Sequence, residues 1–261
     1  MLAVPAALLD IDICFLDVGE HSPAKQVFSP KTADKAHVNG AFSDPAKIRE
    51  LAQKVDVLTV EIEHVNADVL EKIEPSLPLG VHPSPSTIRI IQDKYNQKKH
   101  LRQHGLPVSS FLSVESTREA LEDAAQRLGL PLMVKSRTLA YDGRGNFVMR
   151  NSAQAAEALS ALKNRPLYCE KWVPFVTELA VMVVRSTTGE VRSYPAVETI
   201  HKDNICHLVF APLRHKDPLV ADRARAVAEA AVKTFEGAGI FGVEMFLLEN
   251  GACFFKVLER I

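Results

Sequence analysis

Short apolar runs alternate with amphipathic stretches along this chain, and the alternation changes character past its middle. The run 11–16 predicts a strand, preceded only by the short apolar segment 1–9. Residues 44–54 then predict a helix and 56–61 a buried strand, the βαβ order of a parallel sheet. Two prolines within 82–85 suit a boundary better than an element interior. The pattern over 86–104 predicts one helix, stopped by Gly105 with Pro107 soon after. Ser116 and Glu119 are spaced as a capping box for a helix ending at Gly129. The apolar run 131–135 reads as a short buried strand, and Ser152 opens a further helix with Leu159 and Leu162 on its apolar side.

From Thr177 strands dominate. The runs 177–185, 190–197 and 207–211, joined by Thr188-Gly189 and by Lys202, Asp203 and Asn204, predict an antiparallel meander. A long amphipathic helix over 218–235 closes at Gly237. The chain then returns as a hairpin, 239–248 with 252–258, around Asn250-Gly251. A two-residue turn there pairs Glu249 with Ala252 and, counting outward, sets Val257 opposite Glu244.

Composition narrows the class. With 261 residues, 47% hydrophobic and 24% charged, the chain can bury one large core or two smaller ones. A formal net charge of −1 gives no basic field for nucleic acid. The cysteines Cys14, Cys169, Cys206 and Cys253 are scattered without metal-type spacing, three of them in apolar strand-like runs that suit reduced, buried thiols. Those features suggest a cytoplasmic setting. No apolar run is long enough for a bilayer span, and the N-terminus lacks signal-peptide order, so no membrane partner is expected.

Candidate chemistry concentrates after the strand that ends at Lys135. The loop that follows carries Arg137, Ala140, Tyr141, Asp142, Gly143, Arg144, Gly145 and Asn146. Glycines let backbone N–H groups approach an anion, and the neighbouring cations neutralise phosphate charge. With Glu170-Lys171 downstream, a nucleoside triphosphate is the first hypothesis. Each residue also has an ordinary reading. Lys94 shares a helix with Lys98 and Lys99, as in a solvated basic face. Glu170-Lys171 suits an edge-strand charge pair, Glu178 a water-facing strand position, and His201 a polar turn. Trp172 and Phe175 suit packing. Glu61 and Glu63 close a buried strand, where an acidic rim explains them equally well.

Lys135, the 140–146 loop, Glu170-Lys-Trp-Val173, Glu178, the 198–203 segment with Ile200-His-Lys-Asp203, and Gly239-Ile-Phe-Gly-Val-Glu-Met245 resemble the ATP-grasp fold. More narrowly they resemble N5-carboxyaminoimidazole ribonucleotide synthetase, in the form fused into the fungal phosphoribosylaminoimidazole carboxylases. The resemblance runs from Met1 to about Phe254. It implies an α/β (α+β) architecture: a partial Rossmann-like pre-ATP-grasp domain over 1–82, then ATP-grasp lobes with a largely antiparallel sheet over 83–261. It also implies ATP-dependent carboxylation of 5-aminoimidazole ribonucleotide with bicarbonate in purine biosynthesis, with Mg²⁺, in a family that is commonly dimeric. Carried over residue by residue, Lys94 and Lys135 contact the phosphates, and Ala140, Gly143, Arg144, Gly145 and Asn146 form a lid. Glu170, Lys171, Trp172 and Val173 bind the adenine edge, partly through backbone groups. Glu178 holds the ribose hydroxyls, His201 lines the nucleotide site, and Tyr141 and Asp142 lie by the imidazole substrate.

Glu244 interrupts an apolar strand, where a lone carboxylate is costly to bury. In the family it shares Mg²⁺ with a glutamate at the position of Val257, which cannot coordinate a cation; Glu259, two residues on, reaches only diagonally. By the same comparison Met1 aligns just after the family's glycine-rich turn and Ile261 falls before its closing segment. The expectation is therefore a synthetase shortened at both ends, with impaired turnover. Two alternatives are a catalytically silent ATP-binding module and another ATP-grasp carboxylating ligase, such as a biotin-carboxylase relative.

Overall fold

The computed structural model describes residues 2–139, 145–163, 165–202 and 205–260, without the side chains of 33, 259 and 260. Its first part is built from short pieces. Helix α1 (Ala3–Leu8) occupies the segment 1–9, and the run 11–16 reaches strand geometry only at β1 (Leu16–Asp17). Helix α2 (Pro23–Val27) leads to β2 (Val38–Asn39), parallel to β1. Helix α3 (Pro45–Ala52) starts as its sequence predicts: Pro45 is its first residue, and the Asp44 carboxylate accepts from the N–H groups of Ala46 and Lys47. Strand β3 (Leu58–Thr59), helix α4 (Ala67–Ile73) and strand β4 (Val81–His82) follow, with β3 and β4 parallel.

The parallel order predicted from βαβ spacing is present, but as two separate pairs rather than one sheet. An open cavity of about 810 Å³, lined by apolar residues such as Phe15, Leu16, Leu58 and Val60, lies beside both pairs. Among the described residues each pair stands without a third strand, and of the predicted runs 11–16 and 56–61 only Leu16 and Leu58–Thr59 take strand geometry.

The predicted helix 86–104 is two helices, α5 (Pro85–Gln92) and α6 (Lys94–Gln103). Asp93 divides them. It takes extended backbone angles, and its carboxylate accepts from the N–H groups of Tyr95 and Asn96, which makes it the cap of α6. Next come β5 (Phe111–Val114), α7 (Arg118–Leu128), β6 (Leu132–Ser136), β7 (Asn146–Met149), α8 (Ala155–Ala161) and β8 (Leu167–Lys171). The cap of α7 is Thr117, which accepts from Ala120 N–H; Ser116 instead donates to the Arg165 carbonyl at 2.6 Å. The strands form an antiparallel sheet in the order β5-β8-β6-β7. Leu121, Ala124, Leu132, Val134, Ala158 and Leu167 fill the core beneath it.

The second large sheet begins with β9 (Phe175–Arg185) and continues through β10 (Val191–Ser193), β11 (Val197–Lys202) and β12 (Ile205–Phe210). The predicted run 190–197 thus divides, its end starting a strand that carries His201. Helix α9 (Leu219–Lys233) buries Val220, Ala224, Ala228, Ala231 and Val232 against the sheet. Strands β13 (Gly239–Leu248) and β14 (Cys253–Arg260) complete the order β12-β11-β9-β13-β14, with β10 also on β9. Cys169 and Cys253 are buried and Cys14 half-buried, but Cys206 is exposed on β12; all four are free thiols.

Helix α6 ties the sheets together. The Gln97 amide donates to Leu258 O at 2.7 Å and accepts from Leu258 N at 3.0 Å, so it serves β14 as a strand neighbour would.

Candidate functional site

Strand β8 is an inner strand, and its residues 167–170 are buried while Lys171 is exposed. Glu170 lies across from Met133 on β6 and Phe111 on β5, while Lys135 lies across from Tyr168. Lys135 and Glu170 are therefore diagonal neighbours on one face, and their charged groups stand 3.4 Å apart. Alternation along β6 sends Leu132, Val134 and Ser136 into the core and Lys135 the other way.

Above that face α6 supplies a residue not anticipated as functional. Lys98 is 1% exposed and Glu170 3%. The Lys98 ammonium donates to Glu170 Oε2 at 3.0 Å, Ser109 Oγ at 3.3 Å and Phe255 O at 3.3 Å, which uses all its protons. Ser109 Oγ also donates to Glu170 Oε2 at 3.1 Å. Burial alone would push the Glu170 carboxyl up, but Lys135 and Lys98 outweigh it and hold the group well below the ordinary carboxylate range. Two ammonium groups face one carboxylate, and burial together with Lys135's charge holds Lys98 below its ordinary value. Burial raises the Tyr168 phenol well above its ordinary range and the Cys169 thiol to about 12. A buried ion triad, not the edge-strand charge pair, accounts for Glu170. Its side chain holds lysines, so any role for Glu170 itself at a base edge falls to its backbone. The β8 ladder ends at Lys171 and β9 starts at Phe175, so Trp172 and Val173 run between the two sheets outside either strand.

Lys94, first residue of α6, belongs to the same region. Its backbone N–H donates to Arg137 O at 2.8 Å, and its ammonium lies 3.5 Å from Glu63. The solvated-face reading of Lys94 does not hold, and Glu63, set aside in the sequence, is its partner. Arg137 forks onto Asp93 at 2.6 to 3.2 Å and stacks over Tyr95. Gly145 returns the loop to β7 at φ +99°, a conformation few side chains tolerate, and its carbonyl accepts from Ser136 N–H. Asn146 opens β7 opposite Lys135. Ala140, Tyr141, Asp142, Gly143 and Arg144 lie outside the described residues, as does the Glu259 side chain.

A second cluster crosses three strands of the other sheet. Glu178 pairs with Thr199 and Phe246, so His201 and Glu244 sit diagonally on the same face. One ligand atom from each of Glu178, His201 and Glu244 lies within 4.8 Å of the others. His201 Nδ1 is 3.1 Å from Glu178 Oε2; it belongs to a strand, not to a polar turn. Val257 stands opposite Glu244 as predicted, but by another route. The turn has three residues, with Leu248 N–H bonded to Ala252 O and Gly251 N–H to Leu248 O. A bulge between Glu244 and Met245 then restores the count.

The bulge residue is Lys256. It shares with Val257 the space opposite Glu244, and its ammonium is 2.6 Å from Glu178 Oε2 and 2.9 Å from Glu244 Oε2. Burial works against this charge, yet the Glu244 and Glu178 carboxylates more than offset it and raise the pKa. The oxygen and nitrogen donors suit a divalent cation in kind, but the ammonium already lies between the carboxylates. With Lys256 in place, these residues do not also fit a metal ion.

The chain matches the model of the ribonucleotide synthetase preATP-grasp domain over residues 1–92 and that of the ATP-grasp domain over 99–258. It is 53% identical over 251 residues to a phosphoribosylaminoimidazole carboxylase of Ogataea methanolica, covering 96% of this chain and 45% of that protein. Against an N5-carboxyaminoimidazole ribonucleotide synthase of Pseudomonas aeruginosa it is 31% identical, with 100% of this chain and 69% of the relative covered. A solved carboxyaminoimidazole ribonucleotide synthase of Aspergillus clavatus, complexed with ATP, superposes with a TM-score of 0.93 at 44% identity, covering 99% of this chain and 66% of that one. The chain thus spans less than half the length of the yeast relative. Among the described residues no helix is long and apolar enough to cross a membrane. Two adjoining family models, the relatives and the shared architecture agree: this chain belongs to the N5-carboxyaminoimidazole ribonucleotide synthase family of ATP-grasp proteins.

Proposed function

We propose that this chain binds ATP, with Mg²⁺ as the nucleotide's counter-ion, between its two larger sheets. There it serves the ATP-dependent carboxylation of 5-aminoimidazole ribonucleotide by bicarbonate. A relative from Aspergillus clavatus has been solved with ADP and that ribonucleotide, at 42% identity and a TM-score of 0.91. The observation that carries the reading is the Lys135 ammonium, set 3.4 Å from the buried Glu170 carboxylate at the foot of the glycine-rich loop. Phosphoryl transfer to bicarbonate needs positioning and charge neutralisation more than covalent catalysis. On this reading 1–82 are the pre-ATP-grasp unit and 83–261 the ATP-grasp unit.

The roles follow the chemistry of each group. Lys135, held in place by Glu170 and Lys98, and Lys94 neutralise the polyphosphate. Gly145 and Asn146 anchor the end of the lid, and the backbone of Trp172 and Val173 meets the base edge. Glu178, whose Oε2 accepts from Lys256, offers its other oxygen to the ribose hydroxyls. Tyr141 and Asp142 take the imidazole substrate. The setting is cytoplasmic, and a homodimer is the assembly in view.

A second reading, an ATP-binding module without turnover, is favoured by Lys256 lying between Glu178 and Glu244 and by valine at position 257. Calorimetric titration with Mg-ATP, followed by a bicarbonate- and ribonucleotide-dependent phosphate-release assay, separates the two. Binding abolished by Lys135→Met together with phosphate release supports the first reading. Binding without release supports the second, and no binding overturns both.

A further inference from the structure

We propose that Lys256 is a built-in cation, taking the place of a protein-held divalent ion between Glu178 and Glu244. The inference goes beyond the nucleotide reading and does not rest on it. Three observations carry it. The ammonium is within hydrogen-bond distance of one oxygen from each carboxylate, at 2.6 and 2.9 Å. The bulge puts Lys256 and Val257 together opposite Glu244, so the backbone is shaped to deliver this side chain. Beneath the ammonium the sheet face carries aromatic rings: Phe246 lies 5.7 Å from it and stacks on Phe175 at 4.4 Å. Two carboxylates on such a face need a positive partner.

Charge and geometry make the exchange unequal. An ammonium supplies one positive charge and three N–H donors, and two donors are committed to the carboxylates. A divalent ion brings twice the charge and draws the same oxygens to itself at about 2.0–2.6 Å. Both cannot lie between Glu178 and Glu244, because like charges at that separation repel strongly. Metal entry therefore requires the long lysine side chain to be expelled.

The test is Mn²⁺ binding by the full chain without nucleotide, followed by electron paramagnetic resonance and by thermal unfolding. Wild type is expected to bind Mn²⁺ roughly tenfold or more weakly than Lys256→Asn, and its unfolding temperature to be indifferent to the ion. Lys256→Asn is expected to unfold at lower temperature without metal and to regain stability in Mn²⁺, with the gain abolished by adding Glu244→Gln. Equal affinity of wild type and Lys256→Asn overturns the proposal, and so does Mn²⁺ stabilisation of the variant that persists after Glu244→Gln. Should Lys256→Asn fold only in Mn²⁺, the proposal stands. Should it not fold at all, the wild-type titration decides: Mn²⁺ binding that Glu244→Gln removes overturns the idea, and its absence supports it.

Discussion

Replacing Lys98 by methionine removes a buried ammonium while keeping most of the side chain's volume. At 3.0 Å from Glu170 Oε2, the pair attracts by roughly 5–6 kcal/mol at an effective dielectric constant near 20. That gross figure shrinks for two reasons. Lys98 no longer bears its own burial cost, and Lys135 at 3.4 Å keeps Glu170 from being left uncompensated. Losing one partner of a lone buried pair costs about 3–5 kcal/mol, so with Lys135 retained a loss of about 2–3 kcal/mol is expected. The Glu170→Gln change in the Lys98→Met background removes the surviving charge that made the first change costly. The two losses should therefore fall short of additivity by about 1–2 kcal/mol. Urea unfolding of the four proteins at neutral pH reads this directly, because midpoints shift while the slope stays constant. Mg-ATP affinity should fall in parallel, since Glu170, without Lys98, draws the Lys135 ammonium more firmly to itself and away from the polyphosphate. A cycle additive within about 0.5 kcal/mol, or a Lys98→Met loss below about 1 kcal/mol, would show that the triad is not the coupled unit argued for here.

Acid should act on the same triad. The folded pKa of Glu170 is depressed below its ordinary value of 4.5, so the unfolded state binds more protons there and the ion pairs' contribution is complete above that value. It is lost as pH falls through the folded pKa; the stability gap between wild type and Glu170→Gln should stay constant at neutral pH and close below 4.5, by urea titration at stepped pH. Gly237 holds φ +78°, and a Cβ there would run into the backbone of Pro83 and Ser84. Gly237→Ala should cost about 2 kcal/mol or more in thermal unfolding, and a neutral result would mean that this junction yields easily. Arg137→Ala removes the fork on Asp93 and should weaken Mg-ATP binding more than it lowers stability, because the start of α6 keeps only its backbone bond to the loop; equal affinity would remove Arg137 from the argument.

How much of this was legible depended on whether a feature is local. Helices α3 and α9 and the hairpin β13–β14 announce themselves through caps, apolar spacing and Asn-Gly, all set within one segment. Charge at a strand end draws notice to Lys135 and Glu170 in the sequence, but Glu170 reads there as an edge-strand pair, because its burial depends on β5, β6 and α6 packing around it. Asp93 was missed as a divider because its capping role shows only in backbone geometry; by composition it continues a helical pattern. Lys98 carried no signal at all. Between Gln97 and Lys99 it looks solvated, and the β8 carboxylate, the Ser109 hydroxyl and the β14 carbonyl, none of them on its own helix, make its burial tolerable.

The hairpin carries the same lesson at finer grain. A two-residue turn and a regular ladder put Val257 opposite Glu244; so do a three-residue turn and one bulge, because the second irregularity cancels the first. Counting residues cannot distinguish the two, yet their chemistry differs. In the regular ladder, the residue before Val257 turns its side chain to the opposite face. With the bulge, Lys256 joins Val257 opposite Glu244, and its ammonium reaches both carboxylates. Register settles which residues meet, whereas the bulge settles which charge arrives. The cation chemistry of this site therefore turns on a backbone irregularity of one residue.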